Sequence, residues 1–207
     1  ASHVSGDYFD YIKVDDDRVG VAIADVSGKG VPASLIMAIC RSVLRSQAPE
    51  NPSPSDVLKK VNRQLYPDIK EDMFISMAYL ILDHTNGAVT LSRGGHDAPL
   101  LYHARTAEVE KLKPPGMALG IDSGDVFDRI TGDFSVSLET DDCLVLYTDG
   151  ITEALDAEGD EFGPERMVRS VQASAGEGAA GLIARLKADV RTFAGGHPQN
   201  DDITLIV

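Results

Sequence analysis

Aspartates set beside small, turn-forming neighbours recur four times along the chain: Ser5-Gly6-Asp7-Tyr8-Phe9-Asp10, Ala24-Asp25-Val26-Ser27-Gly28-Lys29-Gly30, Tyr147-Thr148-Asp149-Gly150 and Gln199-Asn200-Asp201-Asp202. Each follows or opens an apolar run, so each carboxylate belongs to the end of a strand. Carboxylates gathered from such distant points repel one another, and a hard divalent cation makes their crowding favourable. Mg2+ and Mn2+ take oxygen ligands in near-octahedral geometry and keep several waters, so a few carboxylates and one backbone carbonyl suffice for a pair of ions. The Asp25-Val26-Ser27-Gly28 corner suits that need. Asp25 can bridge two ions, the Val26 carbonyl can bind one, and Gly28 and Gly30 allow the backbone to turn sharply near the metals. Two ions roughly 3.5 to 4 Å apart would activate a shared water and screen the oxygens of a phosphoryl group. The expected reaction is hydrolysis by direct attack of metal-bound hydroxide. Surface turns are rich in Asp and Gly for their own reasons, so one motif alone has a plain structural explanation; four together are harder to explain that way.

The elements that must position these residues follow from periodicity. Tyr8 to Val14 and Val19 to Val26 are β-rich and separated by the polar Asp15-Asp16-Asp17-Arg18, which predicts a hairpin bringing Asp7 and Asp25 to comparable positions. Leu35, Ile36, Ile39, Cys40, Val43 and Leu44 recur at helical spacing between Pro32 and Gln47. Ser53-Pro54-Ser55-Asp56 opens a second helix that ends before Pro67. Phe74 to Leu82 and Ala88 to Ser92 flank an Asn86-Gly87 turn, and Leu100 to His103 and Val109 to Leu112 are shorter strands. Phe127 to Leu138 alternates and is expected as a strand. Cys143 to Tyr147 is wholly apolar, which predicts burial on both faces. Gly163 to Ala173 and Ala179 to Phe193 are helical in period, and Ile203 to Val207 is expected as a buried terminal strand. Without strict β-α-β alternation, the order favours an α+β fold of antiparallel sheets covered by helices.

The bulk numbers narrow the function. With 207 residues and 43% hydrophobic content the chain is expected to form a single domain, residues 1–207. Its 33 acidic and 19 basic residues give a formal charge of -14, which argues against nucleic acid and anionic lipid as partners. Cys40 and Cys143 read as small core residues, compatible with a reducing, cytoplasmic setting. No apolar run approaches the ~20 residues needed to span a bilayer, so direct membrane contact is not expected. The abrupt start before Asp7 suggests a fragment of a longer protein. Asp10 is expected as a structural partner, Asp202 as a supporting acid, and the run Asp15 to Asp17 as a solvated turn. For Arg93 a packing role is favoured over a substrate contact. For His96 a turn-stabilising hydrogen bond is favoured over metal ligation, because oxygen-rich sites seldom recruit imidazole. His3, His84, His103 and His197 lack ligand spacing.

Five segments together resemble the metal-dependent PPM (type 2C) serine/threonine protein phosphatases, in their bacterial SpoIIE-like branch. They are Gly6 to Asp10, Ala24 to Ala33, Gly94-Gly95-His96-Asp97-Ala98-Pro99-Leu100, Leu144 to Ala154 and Asp201 to Val207. The resemblance spans essentially the whole chain. It implies a central antiparallel β-sandwich flanked by helix pairs. It also implies Asp25 as the bridging ligand, Val26 as a carbonyl ligand, Asp149 and Asp201 as ligands of one Mn2+ or Mg2+ ion, and Asp7 as a ligand of the other, directly or through water. By the same likeness the first two helices resemble a regulatory element coupling upstream sensor domains or partners to metal binding. The implied substrate is phosphoserine or phosphothreonine in a protein, a STAS-type anti-sigma-factor antagonist in this branch. Homodimerisation is left open, as is membrane tethering of the full-length protein through an upstream region. Two alternatives stand beside this: a catalytically weak signalling module, and a two-metal phosphohydrolase of a small metabolite. The chain departs from eukaryotic relatives in carrying Ser27 where they have a proposed general-acid histidine, and in having no arginine before Arg18.

Overall fold

The Asp15 to Arg18 turn closes the first hairpin through its own side chains. Asp15 Oδ1 accepts the N–H groups of Asp17 at 3.0 Å and Arg18 at 2.9 Å, and its other oxygen pairs with the Arg18 guanidinium. The computed structural model describes residues 6–70, 72–199 and 201–207. Ser5 and Asn200 of the two outer aspartate motifs, and His3, lie outside the described residues.

In chain order the elements are β1 (Tyr8–Lys13), β2 (Arg18–Val26), α1 (Val31–Gln47), α2 (Pro54–Leu65), β3 (Ile75–Asp83), β4 (Ala88–Gly94), β5 (Leu100–His103), β6 (Glu108–Lys111), α3 (Asp125–Ile130), β7 (Phe134–Ser137), β8 (Cys143–Tyr147), α4 (Gly163–Ser174), α5 (Gly178–Ala194) and β9 (Leu205–Ile206). They fall into two compact units: Ala1–His96 with Lys113–Ser137, and Asp97–Leu112 with Leu138–Val207.

The first unit holds a five-stranded antiparallel sheet in the order β1-β2-β3-β4-β7. Alternate residues of its strands, among them Tyr8, Ile12, Ala22, Ala24, Met77 and Tyr79, form one core with the buried faces of α1 and α2. Helix α2 starts as its sequence predicts. The Ser53 hydroxyl accepts the Asp56 N–H, and Pro54 occupies the first helical turn, where its missing N–H costs nothing.

The second unit holds a four-stranded antiparallel sheet in the order β6-β5-β8-β9. Leu100, Val145 and Tyr147 pack there with Met167, Val171, Leu182 and Leu186 of α4 and α5. Both sheets are antiparallel and each carries a helix pair, so the chain is α+β as expected.

Three expectations fail locally. The stretch from Phe127 to Leu138 is not one strand. Asp122 Oδ1 accepts the N–H groups of Gly124, Val126 and Phe127 at 2.8–3.0 Å, which nucleates α3, and only Phe134–Ser137 remains extended. Strand β8 is buried only from Val145 onward; Cys143 and Leu144 are partly exposed. The terminal strand shrinks to Leu205–Ile206, with only Ile206 buried, because the Thr204 N–H is taken by a side chain instead of a ladder carbonyl. Both cysteines are free: Cys40 is buried, its thiol pushed up to about 12 by desolvation, and Cys143 is half-buried.

Candidate active site

In the first unit the hairpin register decides the outcome. Tyr8 pairs with Ala24, so Asp7 and Asp25 flank the last ladder position on adjacent strands. Gly6 lies directly against the corner: a Cβ there would sit 2.8 Å from the Val26 carbonyl oxygen and 3.1 Å from Asp25 Oδ1. Glycine is therefore required by the close approach of two chain segments, one carrying Asp7 and one carrying Asp25 and Val26. Asp7 and Asp25 are half-buried, while Val26 is buried.

Ser27 continues the corner. Its N–H donates to the Phe74 carbonyl at 2.9 Å and its hydroxyl oxygen accepts the Phe74 N–H at 2.8 Å. At the position where eukaryotic relatives carry histidine, this chain has a strut to Phe74, the residue before β3. Gly28 and Gly30 then adopt φ of +90° and +80°, the left-handed region that reverses the chain into α1.

Asp10 is the structural partner that was expected. It receives the Arg45 guanidinium through two bonds of 2.5 and 2.6 Å and the Tyr8 hydroxyl at 2.6 Å, tying β1 to α1. Burial works to raise its pKa, but the Arg45 and Tyr8 hydrogen bonds outweigh it and hold the carboxyl below its usual range. His96 is buried and its Nδ1 lies 2.8 Å from the Ser76 hydroxyl. Arg93 donates to the carbonyls of Pro114 at 3.0 Å and His96 at 2.7 Å, so it fastens the turn it adjoins.

In the second unit, Asp149 follows the end of β8 and Asp201 precedes β9, its partner strand. The Thr148 N–H donates to the Thr204 carbonyl at 3.1 Å, and the Thr148 hydroxyl accepts the Thr204 N–H at 3.0 Å. A Cβ on Gly150 would collide with the Asp202 carbonyl, so the two segments touch at that point as well. The Asp149 carbonyl accepts the Glu153 N–H at 2.8 Å and the Thr152 hydroxyl at 3.1 Å, closing a turn after the aspartate. Asp202, expected as a supporting acid, is exposed.

Negative charge accumulates here. The Glu153 carboxyl is raised above its ordinary range, first by desolvation and then by Asp149, Glu161, Asp201 and Asp97. Asp97 also raises Tyr147, after the larger effect of burial. Asp97 and Glu153 are the acids that motif reasoning left without a role. Their signal was present in the Gly94 to Leu100 and Leu144 to Ala154 segments, but the coupling of Glu153 to Asp149 and of Asp97 to Glu153 comes from the fold.

The expected donors Asp7, Asp25, Asp149 and Asp201 with the Val26 carbonyl are all hard oxygens, of the kind that suits Mg2+ or Mn2+. Mutual repulsion among the second unit's acids, and a first-unit corner kept clear of any Gly6 side chain, both fit a cation. Neither unit by itself carries three of the expected side-chain ligands, and among the described residues no group of three or more His, Cys, Asp or Glu side chains forms a metal-holding cluster. Among the described residues no helix is long and apolar enough to cross a membrane.

The profile of the family described as stage II sporulation protein E (SpoIIE) matches residues 15–207. The chain belongs to the SpoIIE family. Among its relatives, the phosphoserine phosphatase RsbU of Bacillus subtilis is 34% identical over 153 residues, covering 74% of this chain and 44% of that protein. The structure of the RsbU and RsbW domains of Rv1364c from Mycobacterium tuberculosis superposes with a TM-score of 0.77 at 27% identity, over 98% of this chain and 54% of that one. The SiaA-PP2C domain of Pseudomonas aeruginosa gives a TM-score of 0.81 at 21% identity, over 98% and 79%, and shares the PP2C fold. The chain spans less than half the length of the curated relatives it matches, at 44%, 36% and 38%.

Proposed function

We propose that this SpoIIE-family chain is a metal-dependent phosphatase of phosphoserine or phosphothreonine in a protein, with a STAS-type anti-sigma-factor antagonist as its substrate. The observation that carries the reading is the Gly6 contact with Asp25 and Val26, which explains in physical terms why the first aspartate motif needs its glycine where it meets the second. Kinship with a named phosphoserine phosphatase supports the substrate class.

In this reading residues 1–207 act as one phosphatase domain. Two Mn2+ or Mg2+ ions would be held by Asp25 as the shared ligand and the Val26 carbonyl, with Asp149 and Asp201 as ligands of one ion and Asp7 of the other, directly or through water. When bound, such ions supply an acidified water at neutral pH and neutralise charge on the transferring phosphoryl group. The chain's own part is to hold oxygen donors rigidly. The β1–β2 ladder fixes Asp25 beside the Gly6-Asp7 segment, and the Thr148–Thr204 bonds hold the Asp149 segment to the one after Asp201. Ser27 braces the corner against Phe74, and the departing serine or threonine oxygen would take its proton from water or another group. Regulation by an upstream region through α1 and α2, a homodimeric state and a cytoplasmic location belong to the same reading.

The test is phosphate release from a phosphoserine-bearing STAS-type protein with Mn2+, Mg2+ or chelator, run beside free phosphoserine and nucleotides. Metal-dependent turnover of the phosphoprotein is expected. Turnover confined to the small substrates would replace the reading with a metabolite phosphohydrolase, and metal-independent turnover would defeat it.

A further inference from the structure

Thr148 is a polar side chain with 0% exposure to which the proposed chemistry gives no direct part. Its hydroxyl accepts the Thr204 N–H at 3.0 Å and donates to the Asp202 carbonyl at 3.5 Å. Its own N–H reaches the Thr204 carbonyl at 3.1 Å. Two residues on, Gly150 packs so closely on the Asp202 carbonyl that a methyl group cannot be admitted. The residues on either side of Asp149 therefore grip the residues that follow Asp201. A continuing β-ladder would have bonded Thr204 through backbone alone; the hydroxyl ends the ladder and lets the chain diverge toward Asp201.

We propose that Thr148 is a positioning residue: its hydroxyl latches the Asp201–Thr204 segment to the end of β8 and so sets the Asp149 and Asp201 carboxylates for one divalent cation. This rests on reading those two aspartates as ligands. Groups that orient metal ligands without touching the metal typically control affinity by about 10- to 100-fold. Valine keeps the shape of threonine but offers Thr204 no acceptor, whereas serine keeps the oxygen.

The experiment is calorimetric titration of the whole chain with Mn2+, for wild type, D149A, T148V, T148S and T148A, each first checked for a cooperative thermal melt without metal. Expected are loss of one site in D149A, Mn2+ binding weakened about 10-fold or more in T148V, and near-native binding in T148S. Hydrolysis of an aryl phosphate should show the T148V defect in the Mn2+ concentration for half-maximal rate, with kcat recovering at saturating metal. A folded T148V with native Mn2+ affinity, beside a D149A that has lost a site, overturns the latch and leaves the ligand reading intact. Native Mn2+ binding in D149A overturns the ligand reading and the latch with it. Should T148V fail to fold, T148A, which removes the hydroxyl without adding bulk, decides beside T148S: weakened binding in T148A with near-native T148S supports the latch, and native binding in T148A overturns it.

Discussion

The two aspartate corners are held by different means. In the first unit, Asp25 lies within a nine-residue strand paired on both sides, to β1 and to β3, so its place is fixed by long ladders backed by the α1–α2 core. In the second unit, Asp149 stands just beyond a five-residue strand, and Asp201 precedes a two-residue one. A threonine hydroxyl and a glycine contact do there what backbone pairing does in the first unit. Ladders spread a perturbation over many hydrogen bonds, while a latch concentrates it in one side chain. Single substitutions should therefore act more severely around Asp149 than around Asp25, apart from the aspartates themselves.

Loss of a carboxylate is the largest effect expected, and equal at the two corners. Asp25→Ala and Asp149→Ala should each reduce Mn2+-dependent hydrolysis of an aryl phosphate to background while far-ultraviolet circular dichroism stays native. Substantial turnover in one of them would show that the corners do not share the work.

Glycine replacements come next. Gly150→Ala should cost about 1–3 kcal/mol in urea unfolding, the usual range for overpacking. Gly6→Ala should cost about 1–2 kcal/mol, because the Val26 carbonyl oxygen at 2.8 Å is backbone and has to shift, though less than the Asp202 carbonyl at 2.0 Å from a Gly150 Cβ. A reversed order would mean that the first corner is the stiffer contact.

The struts sharpen the same contrast. Thr148→Val leaves a donor behind in a buried setting and should cost about 1–3 kcal/mol, whereas Ser27→Ala, at a half-buried site beside exposed Phe74, should cost about 0.5–1 kcal/mol. Paired urea titrations measure both.

The smallest effect is the response to acid. Asp10, Asp15, Asp83 and Asp122 are all held below the ordinary aspartate range, and all four lie in the first unit. A carboxyl whose folded pKa is depressed stabilises above its unfolded pKa, about 4, and loses that contribution as pH falls through the folded value. Glu153 in the second unit is raised, so its cost is present above the folded value and relieved by protonation. Hydrogen exchange between pH 5 and pH 3 should thus show protection falling first in β1–β4 and α3. Faster loss in α4 and α5 would contradict this assignment.

Much of this was legible because it is local. The hairpin at Asp15, the Ser53 cap, the Asn86-Gly87 turn and four amphipathic helices each need only a few neighbouring residues, and the structure has them. The alternation of Phe127 to Leu138 misled because a carboxylate five residues upstream of Phe127 captured three N–H groups, and capping overrides a short period-two pattern. The final strand was overestimated because its apolar run gives no sign that Thr148 intercepts Thr204. Asp97 and Glu153 stayed without a role because charge coupling depends on distance in space, which spacing along the chain does not report.

The sequence by itself determined the family, the α+β class and the residue types suited to a hard cation, since these follow from composition, period and motif. Tertiary structure alone decided that Gly6 must be a glycine, that Ser27 is a strut and that Thr148 grips the segment after Asp201. Each of those depends on which remote backbone group arrives beside the residue, and that is fixed by strand register and packing.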